Sequence, residues 1–124
     1  MIKPPVKPLQ KLNCDTNYRQ AKKIDPVLLD ELLVLVPNWI VPQDHAIDKL
    51  TCRFGRENFA DAIKLAAAIG VIADMQNHHP TLLVEWGALT VTWWTHSLDG
   101  LHLNDFIMAA KTNQIATKSE LLLD

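Results

Sequence analysis

Between Asp25 and Pro37 the apolar residues Val27, Leu28, Leu29, Leu32, Leu33 and Val36 fall mostly at helical spacing. Asp25 is placed to cap that helix, Pro26 suits its first position, and Pro37 closes it. Trp39 to Val41 reads as a short strand ended by Pro42. Ile47, Leu50, Cys52 and Phe54 give a second strand of imperfect alternation, with Gly55 near its end. The strongest helical pattern runs from about Glu57 to Ala73, where Phe59, Ala62, Ile63, Ala66, Ile69, Gly70 and Ala73 form one stripe. Asn58 caps its start, Asp61 sits in its first turn, and Ala66 to Ala68 leave a narrow face suited to close packing, including between subunits.

Pro80 biases His79 out of the helical basin, so His78 and His79 are expected on an extended exit loop. Leu82 to Trp86 and Ala88 to His96 read as two strands about a turn at Gly87. In the second, Leu89, Val91 and Trp93 face one way, and Thr90, Thr92, Trp94 and His96 the other. Ser97 to Leu101 is a loop, Leu103 to Gln114 a last helix, and Ile115 onward trails off. The order αββαββα predicts an α+β fold, a four-stranded antiparallel sheet with helices packed on one face.

Composition adds boundaries. Residues 1–23 hold Pro4, Pro5 and Pro8 and carry a charge of +5, against −7 for the rest, and are expected to form a flexible basic arm. Residues 24–116 form the one domain and 117–124 a tail. With 48% apolar and 21% charged residues the chain is neither disordered nor collagen-like. A net charge of −2 gives no overall field for nucleic acid. The longest uncharged apolar run, Leu65 to Ala73, is far short of the ~20 residues that span a bilayer, so a soluble, cytoplasmic protein is expected. Cys14 and Cys52 form no CxxC pair, which argues against a disulfide framework or thiolate metal site.

Three of the five histidines, His78, His79 and His96, fall where loops meet strand ends. Imidazoles titrate near neutrality, so such a trio suits paired proton donation and removal. The same spacing also fits polar loop residues or helix C-terminal caps, or three zinc ligands with an open position. Spacing alone leaves all three readings open. His45 and His102 read as surface residues.

The run Asp74-x-x-x-His78-His79-Pro80, then five residues to Trp86, nine to His96 and eight to Asp105, resembles the signature of the pterin-4a-carbinolamine dehydratase family. His78-His79-Pro80-Thr81-Leu82-Leu83-Val84-Glu85-Trp86-Gly87, Val91 to Ser97 and Gly100 to Ala110 resemble its bacterial branch, and the likeness covers roughly Asp25 to Gln114. Two departures stand out: Arg56 takes the place of a middle Phe between Phe54 and Phe59, and His102 stands where a capping Ser or Thr is common.

The resemblance implies a hydro-lyase that dehydrates 4a-hydroxytetrahydropterin to quinonoid dihydropterin, recycling the cofactor of aromatic amino acid hydroxylases without metal or cofactor of its own. His78, His79 and His96 would be the active-site trio, with His78 and His96 moving protons and His79 orienting substrate. Asp74 and Asp105 would support them, and Trp39, Trp86, Thr95 and Pro80 would bind the pterin. For Asp74 and Asp105 a simple helix-surface or first-turn role stands beside the supporting one, and for Trp39 and Trp86 core packing stands beside stacking. The resemblance further implies a homodimer or homotetramer, with phenylalanine hydroxylase as a candidate partner. The alternative is a non-catalytic pterin-binding or regulatory module acting on transcription factors or hydroxylases.

Overall fold

The computed structural model describes residues 7–43 and 46–122. His45 and residues 1–6 therefore lie outside the described residues. Helix α1, Pro26–Leu35, starts as its sequence dictates: the Asp25 carboxylate accepts from the Leu28 N–H at 2.9 Å, with Pro26 following. Strand β1 is Leu50–Gly55. Helix α2, Phe59–Gln76, is capped by Asn58, whose Oδ1 accepts from the Asp61 N–H at 2.9 Å. Strands β2, Thr81–Glu85, and β3, Ala88–Trp93, form a hairpin whose turn needs Gly87 at φ +81°. Helix α3, Leu103–Leu122, closes the chain.

β3 is the central strand, antiparallel to both neighbours, in the order β1-β3-β2. Leu50 and Cys52 of β1 and Leu89, Val91 and Trp93 of β3 turn into the core, with Leu82 and Val84 of β2 half-buried beside them. Thr51, Arg53, Thr90, Thr92, Thr81 and Leu83 line the opposite face. α2 lies against β2 and β3, and α3 against β1, β3 and α2, so the helices cover the apolar face.

Three strands, not four, form the sheet of the described residues. The segment expected as a fourth contributes one bridge, Ile40 with Thr51, and no more. Pro37 and Pro42 leave too few residues between them to extend a ladder, Pro42 has no N–H to give it, and Trp39 is drawn into the core, where its Nε1 donates to Asn113 Oδ1 at 2.8 Å. β3 stops at Trp93 rather than His96, because Thr95 pairs with Gly100 around a short 3₁₀ turn at His96–Leu98. α2 and α3 both run past the ends expected for them, α3 through most of the supposed tail.

The described part of the arm follows the body rather than leaving it. Leu9 is buried in the core within a 3₁₀ turn at Leu9–Lys11 set against α3. The Cys14 N–H donates to Gln76 Oε1 (2.8 Å) and the Asp15 N–H to Asn104 Oδ1 (2.9 Å), while Asn104 Nδ2 donates to the Asp15 carbonyl (2.7 Å). Composition could not reveal these anchors, since every partner lies more than sixty residues away.

Candidate active site

The end of α2 sets the first half of the site. Asn77 takes the left-handed conformation (φ 51°), which Asn tolerates better than most residues. Its N–H donates to the Asp74 carbonyl (3.3 Å), and the His78 N–H donates back to Ala73 (3.2 Å), a Schellman closure. That reversal turns His78 off the helix and into the protein, while His79 stays outside.

His78 is buried, stacked between Tyr18 (ring centroids 6.0 Å apart, 19° between planes) and Trp93 (5.7 Å, 10°). Its Nε2 lies 2.6 Å from Asp105 Oδ1 and its Nδ1 2.8 Å from the Tyr18 hydroxyl. Asp105 is fully buried, and its Oδ2 accepts from Thr95 Oγ1 (2.8 Å) and from the His102 N–H (2.9 Å). A carboxylate so surrounded is an acceptor, so the His78 Nε2 carries the proton, and in the neutral ring Nδ1 accepts from Tyr18. Burial pushes the Tyr18 phenol above its ordinary range, reinforced by the charges of Cys14, Asp105 and Asp15 and opposed by the Asn104 hydrogen bond, so the hydroxyl keeps its proton.

Asp105 also belongs to the start of α3. The His102 imidazole takes the place of a Ser or Thr cap: its Nδ1 accepts from the Asn104 N–H at 3.0 Å, while Asp105 reaches back to the His102 N–H. Burial lowers the protonation of His102, with Asp105 opposing the shift.

His79 is exposed, and its Nε2 meets the exposed Asp74 Oδ1 at 2.9 Å. His96 is exposed as well, laid on Trp94 with ring centroids 3.8 Å apart, and the Lys49 ammonium sits over the other residue of that stack, 4.5 Å from the Trp94 ring. One open cleft of about 240 Å³ is lined by His78, His79, His96, Thr95, Tyr18, Asn77 and Ser97. The three histidines are thus brought together, with Asp105 and Thr95 directly behind His78 and Asp74 beside His79.

The tryptophans are not in the cleft. Trp39 is a core residue in edge contact with Phe54 (5.9 Å), and Trp86 is 77% exposed at the hairpin turn, at the other end of β2 from His79. Pro80 leads the chain into β2 without lining the cleft. Trp39, Trp86 and Pro80 are thus not among the residues that the structure brings to this cleft. Arg56, in the family's aromatic position, instead donates from Nη2 to the Ala116 carbonyl at 3.0 Å and ties the end of β1 to α3. Cys14, half-buried beside Asn104, has its thiol pushed up to about 12 by desolvation and is no nucleophile at neutral pH. Among the described residues no three His, Cys, Asp or Glu side chains stand where they could share a metal ion. Tyr18, Asn77 and Ser97 are the cleft residues that sequence reasoning missed; Tyr18 lies in a polar segment with no periodic signal, Asn77 is legible only as a helix terminator, and Ser97 only as the start of a loop.

The sequence model of the pterin 4 alpha carbinolamine dehydratase family matches residues 22–115. A Chlorobium luteolum protein named "Putative pterin-4-alpha-carbinolamine dehydratase" is 42% identical over 86 residues, 69% of this chain and 75% of that protein. The crystal structure of a transcriptional coactivator/pterin dehydratase from Brucella melitensis superposes with a TM-score of 0.71 at 26% identity, covering 77% of this chain and 99% of that one.

Proposed function

This chain belongs to the pterin 4 alpha carbinolamine dehydratase family, and from that premise we propose that it converts 4a-hydroxytetrahydropterin to quinonoid dihydropterin and water in the histidine cleft. The reaction breaks the C4a–O bond, removes the proton on N5 and forms the C4a–N5 double bond. The departing hydroxide takes up a proton, so one acid and one base suffice and no electrons change hands. His78 and His96 move the two protons, and His79, held by Asp74, orients the ring.

The observation that carries this reading is the convergence of His78, His79 and His96 on one cleft although His96 is far from the other two in sequence. Asp105, accepting from His78, Thr95 and His102, fixes the buried member of the trio. The decisive experiment is stopped-flow detection of quinonoid dihydropterin formed from synthetic carbinolamine. The protein is expected to accelerate its appearance, and a chelator to leave the rate unchanged. No acceleration would overturn the reading, and a chelator-sensitive rate restored by zinc would overturn its metal-free chemistry.

Self-association belongs to the same proposal. α2 presents Phe59, Ile63, Val71 and Met75 outward, each between 46% and 72% exposed, along one ridge at multiples of four residues. That face is consistent with a homodimer or homotetramer, which light scattering would test. The Brucella melitensis neighbour is named a coactivator as well as a dehydratase, so a regulatory role beside catalysis is the second reading; a hydroxylase partner and a cytoplasmic location complete the proposal. Among the described residues no helix is long and apolar enough to cross a membrane.

A further inference from the structure

We propose that the Tyr18 hydroxyl is the group through which His78 exchanges protons with the cleft, at the Nδ1 of a ring whose tautomer Asp105 sets; this rests on the dehydratase reading. Both ring nitrogens of His78 are engaged, Nε2 with Asp105 and Nδ1 with Tyr18, and the ring faces are covered by Tyr18 and Trp93. With 5% of the residue exposed, His78 has no nitrogen free for a ligand. Asp105 is fully buried, and a proton leaving by the Nε2 side would have to pass through that carboxylate before reaching the buried Thr95 hydroxyl at the cleft wall, a longer route than the single contact at Nδ1. The Nδ1 side ends on a hydroxyl that itself lines the cleft.

That hydroxyl has the contacts a relay needs. It lies 3.4 Å from the Asn77 carbonyl, to which it can donate, and receives Asn104 Nδ2 at 3.4 Å. Facing a neutral His78 it donates to Nδ1; facing an imidazolium it accepts the Nδ1–H and turns its own proton outward. In either direction one proton arrives at the phenol oxygen as another leaves, so the phenol ends as it began and no charge is left on it. The ionisable groups around it are His78 and Asp105 behind, Cys14 and Asp15 on its own segment, and His79 and His96 across the cleft. The stretch that matches the family begins at residue 22, so Tyr18 lies outside it.

Tyr18→Phe in the full-length protein keeps the ring stacked on His78 and removes the hydroxyl alone. Turnover in the stopped-flow assay is expected to fall in kcat by ~10²-fold with KM unchanged, the scale of a lost proton-transfer group. In ¹⁵N-histidine-labelled protein, the His78 nitrogens are expected to report an Nε2–H tautomer with a hydrogen-bonded Nδ1. The Nδ1 signal should move toward its unbonded value in the variant, a change that mere loosening of the arm would not confine to one nitrogen. A variant with unchanged kcat, or with unchanged His78 nitrogen signals, overturns the proposal. Absence of turnover in the unsubstituted protein would instead overturn the dehydratase reading, and the nitrogen signals would still decide whether Tyr18 holds the His78 Nδ1.

Discussion

His78 and His96 face the same cleft from opposite physical situations, and their substitutions should separate accordingly. His96 is exposed and rests on Trp94, so His96→Ala removes little packing; turnover should fall ~10²-fold with unchanged unfolding in urea. His78 is wedged between two rings and supplies one of the donors that satisfy a buried carboxylate. His78→Ala should therefore lose turnover and also roughly 3 kcal/mol of stability, since Asp105 is left with an unanswered lone pair beside a cavity. Equal stability of the two variants would contradict the burial assigned to His78. The histidines were legible in the sequence because a spaced signature marks them together. Asp105 was marked by the same signature as a supporting residue, but that it would hold His78 in particular, and that a tyrosine sixty residues back would face that ring, was not legible, because neither pairing leaves a local pattern.

At the scale of elements, the site depends on how α2 ends and how α3 begins, and the second junction is the pH-sensitive one. The His102 cap works only while Nδ1 keeps its lone pair, which requires a neutral ring. Burial lowers the folded-state protonation of this group below its ordinary 6.5, so as pH falls the unfolded chain binds the proton first. Its contribution is therefore full above about pH 6.5 and is lost as the pH drops toward the depressed folded value. His102→Asn supplies an oxygen to the Asn104 N–H and has no such titration. Urea midpoints measured at pH 7.5 and 5.5 should then differ less in the variant than in the parent; an equal difference would show that His102 charges without penalty. Periodicity found α1, α2, β1 and the hairpin because each buries a regular stripe. It overreached at Trp39 to Val41, where three large apolar residues between two prolines read as a strand but make one bridge and turn the Trp39 side chain into the core. It stopped short on α3, where among the described side chains beyond Gln114, Ala116 alone is buried, so the sequence there carries little apolar rhythm.

For the whole molecule, the open issue is what the proline-rich arm contributes, because charge and composition alone made it look detachable. Its described part instead buries Leu9, crosses α3, and delivers Tyr18 to the cleft. Two variants separate those contributions. Leu9→Ala removes a buried side chain that does not line the histidine cleft, and should cost about 2–3 kcal/mol in urea while leaving turnover of the folded protein near its original value. Deleting residues 1–23 removes the same anchor together with Tyr18 and the hydrogen bonds to Gln76 and Asn104, so stability should fall further and turnover should drop at least as far as in Tyr18→Phe. Turnover that survives the deletion, assayed where circular dichroism shows the shortened chain folded, would mean that the domain matched to the family is catalytically sufficient. The arm would then be a stabilising strap only, and the proton route through Tyr18 would be wrong.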